Sequence, residues 1–264
     1  MAHGDKSGYT FTNRLVNKMH PSRTGRTQTE RADQTRSRIL DAAIGEFSEH
    51  GLAGARTEQI AEAAGVNKAL LYYYFKSKQA LYAATLEAMA ERVVSRSLAS
   101  LETGRSAGER IVRFALNHFD RIHSQRAFQS LMQQELMRLR EGESNALKPL
   151  LEKVFRPTMR PVEELLAEGM RTRELIRADA WQMMYAALGA NVFFFLSGPV
   201  MGMLLSKDLF SRKALVARRK AAVEYLGQTI FLDRRHGARV AARVLRQTPM
   251  PKSGNLKTFE VKFK

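Results

Sequence analysis

Apolar residues recur at helical spacing along most of the chain, and no convincing period-two pattern appears except a short Phe259, Val261, Phe263 alternation. Over residues 33–50 the positions Ile39, Leu40, Ala43 and Phe47 form one stripe. Gly51 ends that helix, with His50 in its last turn, where partial positive charge is favourable. Thr57 has the hydroxyl expected of an N-cap. Ile60, Ala61 and Ala64 then share a face, and Gly65 supplies the positive φ of a sharp stop. Asn67 opens a second, short helix that holds Leu70 and Leu71. Two helices joined so tightly cross steeply, and the small Ala61 fits where the backbones approach, while Val66 and Leu71 fill the angle. Residues 57–78 therefore predict a helix-turn-helix whose second helix is free to enter a DNA major groove.

Further helices are predicted at 77–101, with Leu81, Leu86, Met89 and Val93, and at 107–124, with Ile111, Phe114, Ala115, His118 and Ile122. Another covers 126–140, and one from about 145 to 170 carries Pro157 and Pro161 in its interior, where each should kink or interrupt it. Asp179 caps a helix with Trp181, Met184, Leu188 and Phe195. Residues 183–206 hold no charge, a length that raises a membrane span, although Gly198 and Pro199 are expected to break it. The last strong pattern, 211–232, places Leu215, Ala222, Leu226 and Ile230 on one face. Residues 233–264 read as a basic tail, with a short helix possible at 237–246. Residues 1–32 have no sustained pattern and read as a disordered basic arm. They contain no apolar segment of secretory type, and Met19 is an alternative start.

Composition narrows the function. The chain has 264 residues, 44% of them hydrophobic, enough for a sizeable core. The lack of cysteine excludes disulfides and thiolate metal sites. A net charge of +17 favours a polyanionic partner, nucleic acid or an acidic membrane. Much of it lies at the ends: eight Lys or Arg against three acids in 1–38, and nine against two in 233–264. Directly after the predicted turn, Tyr72, Tyr73, Tyr74 and Phe75 precede Lys76, Ser77 and Lys78, a set of hydroxyls and ammonium groups suited to phosphate oxygens. His118 and His123 stand five apart, which is not a metal-ligand spacing on a helix, and Glu163, Glu164 and Glu168 read as a solvated face. No phosphate-binding glycine loop or nucleophile elbow occurs. The expectation is a protein with no catalytic residues, no metal and no cofactor.

The segments ILDAAIGEFSEHG, TEQIAEAAGV and LLYYYFKSKQALY make residues 34–90 resemble the tetracycline-repressor (TetR) family of bacterial transcription regulators. EGMRTRELIRAD and FFFLSGP are similar to that family's ligand domain. The resemblance implies an all-α fold: a three-helix head at 33–80 and a ligand-binding and dimerisation domain at 81–232, flanked by the arm and the tail. It implies a cytoplasmic homodimer, a repressor released from a double-stranded DNA operator by a small molecule. Carried over position by position, base contacts fall to Asn67, Lys68, Ala69 and Leu70, with Gln59 or Glu58 also reaching the groove. Glu58 departs from the basic residue that some members have. Thr57, Tyr72, Tyr73, Lys76 and Lys78 match positions on or near the phosphate backbone, Tyr72 having packing of the head as a competing role. The helix at 77–101 joins head to body and is the natural lever. Helices at 179–197 and 211–232 are expected to pair with their copies, Leu226 lying at the centre of the second one's apolar face.

Between the C-terminal helices, Phe114, Met132, Phe155, Met159, Met184 and Phe195 are candidates to line an apolar ligand cavity. His118, Gln133, Glu135, Tyr185 and Asn191 are candidate polar groups in it. Two other readings stay open: a membrane-associated basic helical protein, and a nonspecific architectural DNA binder.

Overall fold

The computed structural model describes residues 28–251. These are all-α, apart from one isolated bridge between Leu175 and Phe231. The first helix, α1 (Gln28–Gly54), begins five residues ahead of the predicted start. Residues 28–32, expected in the arm, contain no helix breaker, so a helix nucleated on the apolar stripe propagates back through them. Residues 1–27 and the Phe259, Val261, Phe263 pattern lie outside the described residues. At Gly51 φ is 65°, and the backbone breaks there as expected.

Helix α2 (Thr57–Ala63) and α3 (Lys68–Phe75) flank Gly65, whose φ is also 65°. Asn67 caps α3, its side-chain oxygen accepting from the Leu70 N–H at 2.7 Å. The Thr57 cap is not found: Thr57 is the first residue of α2 and lies buried. Its hydroxyl stands 3.1 Å from that of Tyr72, and Glu46 from α1 accepts from the Arg56 N–H at 2.8 Å instead. A tertiary partner fifteen residues away wins over the local one.

Helix α4 (Lys78–Leu101) is capped by Ser77, which accepts from Ala80 N–H at 3.0 Å. The apolar cluster of the head, with Ile39, Phe47, Ile60, Leu71 and Leu81, continues through Met89, Ala90 and Val93 of α4. It takes in Phe128 and Leu131 of α6 (Arg126–Arg140) and Leu147 and Leu150 of α7 (Leu147–Leu150). Head and body thus share one core along α4, and this continuous helix crosses the boundary expected at residue 80.

The remaining body packs α5 (Ala107–Ser124), α8 (Arg156–Arg171), α9 (Ala180–Leu205), α10 (Arg212–Thr229) and α11 (Arg234–Gln247) around a second cluster. A π-helical turn, Leu151–Phe155, separates α7 from α8. Pro157 lacks the N–H that would bond the Lys153 carbonyl, and the wider π turn accommodates that loss. Pro199, by contrast, does not end α9. It is exposed and removes only one helical hydrogen bond, while Phe210 fills the space beside Gly198.

The expected tail is corrected most. Val240, Ala241 and Val244 of α11 are fully buried, and a Cβ on Gly237 would fall 1.8 Å from the Gly227 carbonyl oxygen. Two glycines ten residues apart thus let α10 and α11 touch backbone to backbone. Arg243 of α11 also reaches the buried Glu109 of α5 at 2.7 Å, which Arg113 holds from the other side at the same distance. Burial pushes Glu109 up, but the two guanidinium groups outweigh it and hold the carboxyl below its usual range. Arg219 of α10 clamps Asp120 of α5 through bonds of 2.6 and 2.7 Å.

Candidate nucleic-acid interface and ligand cavity

Helix α3 presents Asn67, Lys68, Ala69 and Leu70 to solvent on its first turn, and Tyr73, 69% exposed, on its second. Gln59 of α2 is exposed as well. Leu71 and Phe75 on the opposite side are buried in the head, which fixes the orientation of the exposed side. The Lys68 ammonium is ion-paired with Glu58, so α2 and α3 are joined across their outer surface. That bond lowers the Glu58 carboxyl and raises the Lys68 ammonium relative to their ordinary values. The sequence alone does not pair the two residues, because they stand ten apart on different helices.

The residues expected near phosphate divide. Lys76 is exposed at the end of α3, with φ 60° and its ammonium 5.4 Å from the Tyr73 ring centre. Lys78 donates to the Ala53 carbonyl at 3.0 Å, which ties α4 to the end of α1. Tyr72 is half-buried, and its contact with the buried Thr57 makes both of them packing groups of the head. Arg36 of α1 lies 5.3 Å from the Phe75 ring centre, a contact with no signal in the sequence.

A small void of about 20 Å³ lies between α5, α8, α9 and α10. Its lining is apolar: Ile111, Phe114 and Ala115, Val162 and Leu166, Met183, Met184, Ala187 and Leu188, and Leu226 with Ile230. Of the eleven expected cavity residues, Phe114 and Met184 are on this lining. His118 and Asn191 follow one turn further along α5 and α9. Met159 packs against the same body cluster. Met132 and Phe155 pack instead on the head-side cluster, because α6 and the π turn belong there. Gln133, on α6, is partly buried away from this lining. Glu135, also on α6, is fully buried and holds Arg138 at 2.8 Å and Ser144 at 2.5 Å. Phe195 joins Phe119 and Phe210 in an aromatic group at ring distances of 5.1 and 6.2 Å. Tyr185 is 68% exposed and points away from the void. Leu226 and Ile230, expected at a subunit contact, are lining residues of the protomer itself.

Helix α9 is apolar on both sides. Met184, Asn191 and Gly198 face inward, while Tyr185, Phe193, Leu196, Val200 and Leu204 form an exposed stripe on the opposite side. Tyr225 of α10 is exposed too. By length and composition α9 is also long and apolar enough to cross a membrane.

Residues 39–85 match the profile described as "Bacterial regulatory proteins, tetR family". The chain is 47% identical over 55 residues to the HTH-type transcriptional repressor SCO4008 of Streptomyces coelicolor, 21% of this chain and 29% of that protein. It is 60% identical over 48 residues to the HTH-type transcriptional regulator RutR of Escherichia coli, 18% of this chain and 23% of that protein. These matches span less than a third of either relative. The fold extends further: FadR of Bacillus subtilis, crystallised with stearoyl-CoA, aligns with a TM-score of 0.56 at 19% identity, over 72% of this chain and 96% of that one. The helix-turn-helix head at 39–85 is thus that of the tetR family of bacterial regulatory proteins, and the helical body behind it shares its fold with FadR.

Proposed function

We propose that the protein is a cytoplasmic, homodimeric, sequence-specific DNA-binding repressor that a small molecule releases from its operator. The observation that carries this reading is the exposed first turn of α3, held rigidly on a buried head. Asn67, Lys68, Ala69 and Leu70 read base edges, Lys68 donating to guanine and Ala69 and Leu70 meeting thymine methyl groups. Gln59 also reaches the groove, Tyr73 and Lys76 face the phosphate backbone, Lys78 joins them by exchanging the Ala53 carbonyl for a phosphate oxygen, and the Thr57–Tyr72 contact fixes the angle between α2 and α3. Glu58 holds Lys68 in the free protein, so reading guanine requires Lys68 to exchange that carboxylate for the base.

Two copies meet through the outer stripe of α9 and the exposed side of α10, since an apolar row of this length is unusual on a free monomer. Two-fold symmetry then sets two α3 helices on one DNA face, about one helical turn or more apart. The effector enters the α5, α8, α9 and α10 void. At its present size the void takes little more than one water, so an effector must open it, and flexible Met183 and Met184 are suited to yield. Release follows only if the opened form holds the two heads at the wrong separation, and α4, packed in both clusters, transmits the change.

Recovery of genomic fragments by the purified protein under excess competitor DNA tests the reading. A few discrete sites are expected. Recovery that simply follows fragment length identifies a nonspecific architectural binder. A protein that requires detergent to stay in solution favours membrane association of α9 over a dimer contact.

A further inference from the structure

We propose that the effector is an apolar monocarboxylate, its hydrocarbon part in the α5, α8, α9 and α10 void and its head against Arg121 and His118. This rests on the ligand-responsive reading above. One side of α5 changes character along its length. Ile111, Phe114 and Ala115 line the void, His118 follows one turn later, and Arg121 one turn after that. On the facing helix, Met184, Ala187 and Leu188 of the lining lead in the same way to Asn191. Three polar side chains therefore follow the apolar lining, one to two turns beyond it on α5 and α9.

Each of the three lacks a partner for part of its polar surface. Arg121 donates to the Val93 carbonyl of α4 at 3.2 Å and, among the described residues, has no carboxylate within ion-pair distance. Arg113 and Arg243 share Glu109, and Arg219 pairs with Asp120; Arg218 of α10 also lacks a carboxylate, but it donates to the Ala190 carbonyl and lies over the Phe194 ring. Burial lowers the Arg121 guanidinium to about 10. A charge withdrawn from water without a counter-ion is costly, and an incoming anion relieves that cost. His118 has a buried Nδ1 with no hydrogen-bond partner. Burial, and then the charge of Arg121, hold it at about 3, so it stays neutral and can donate from Nδ1. Asn191 is 2% exposed; its amide donates to the Ala115 carbonyl at 3.3 Å and leaves Oδ1 without a partner. That oxygen accepts from a hydroxyl or a water carried beside the head.

A single guanidinium matches one negative charge, and its planar fork suits a carboxylate better than a doubly charged phosphate. The same guanidinium holds the Val93 carbonyl. A carboxylate that competes for it loosens α5 from α4, the helix that runs to the head.

The test uses the full-length protein and two matched probe sets: octanoate with octanol and octylamine, and phenylbutyrate with its alcohol and its amine. Calorimetry gives binding, and fluorescence anisotropy of a labelled operator gives release. The carboxylates are expected to bind tightest and to release DNA. Arg121→Gln should weaken carboxylate binding by about 10- to 100-fold, the loss of one charge-assisted contact, and leave the alcohols unchanged. Arg121→Lys should keep the preference for carboxylate, which separates charge recognition from damage to the fold. Alcohols that bind as tightly as acids, an Arg121→Gln protein with unaltered acid affinity, or no binding of any carboxylate overturns the proposal. Release by alcohols or amines alone overturns it while leaving the ligand-responsive reading intact.

Discussion

Replacing Leu196 with Asp probes the dimer contact without touching the protomer core. Leu196 is 54% exposed and sits in the middle of the α9 outer stripe. Fully burying a leucine side chain stabilises by about 1.5–3 kcal/mol, so covering the exposed half contributes about 1 kcal/mol per protomer and about 2 in the dimer. An aspartate there loses this and adds desolvation of two carboxylates close to a symmetry axis, a further cost of roughly 3 kcal/mol or more. A total near 5 kcal/mol raises the dimer dissociation constant by about three to four powers of ten. Sedimentation at micromolar concentration should then show monomer, with helical content intact, and operator affinity should collapse because one head reads only a half-site. Leu226→Asp is the matched contrast. Leu226 is 6% exposed and lines the internal void, so that variant should lose the fold rather than dissociate cleanly. A folded Leu196→Asp protein that remains dimeric with full affinity refutes the assignment of the contact to α9.

Gly237→Ala places a methyl group 1.8 Å from the Gly227 carbonyl oxygen; it should destabilise by roughly 3 kcal/mol or more in denaturant unfolding, and a loss under about 1 kcal/mol would contradict the packing of α11. Lys68→Ala should weaken operator binding by about 10- to 100-fold at one base position only, whereas Glu58→Ala, by freeing Lys68 and removing a carboxylate, should tighten binding to every sequence; equal weakening across operator variants makes Lys68 a phosphate contact. His118 accepts a proton near pH 6.5 when unfolded but only near 3 when folded. The unfolded state therefore binds the extra proton between those values, and stability should be lost as the pH drops from about 6.5 toward 3, by up to roughly 1.4 kcal/mol per unit. His118→Gln should flatten that part of the curve, and an unchanged slope assigns the effect to other groups.

The head was legible because its determinants are local. The Asn67 cap, the Gly65 turn and the Ile60, Ala61 spacing each act within a few residues, and all three are found. Thr57 was misread for the opposite reason: its hydroxyl finds Tyr72 across the head, a choice that only packing settles. Helix α11 was obscured because its buried residues are few and small among five arginines, and its anchor is a meeting of Gly227 with Gly237 that no periodicity records. In α9 both faces are apolar, so the pattern could not say which side turns inward; for Leu226 of α10, an apolar stripe at helical spacing does not separate the protomer core, where it lies, from a subunit contact. The cavity residues were hardest. Phe155, Met132 and Phe114 are equivalent as apolar side chains, and only the assignment of α6 and the π turn to the head-side cluster separates them.

Selection from random double-stranded DNA by the intact protein tests the central claim most directly. The account predicts enrichment of an inverted repeat whose half-sites lie about one helical turn or more apart, with Lys68→Ala relaxing the preference at one symmetric pair of positions. Sequences enriched without symmetry, or no enrichment over the starting pool, would contradict a dimeric protein that reads DNA through α3.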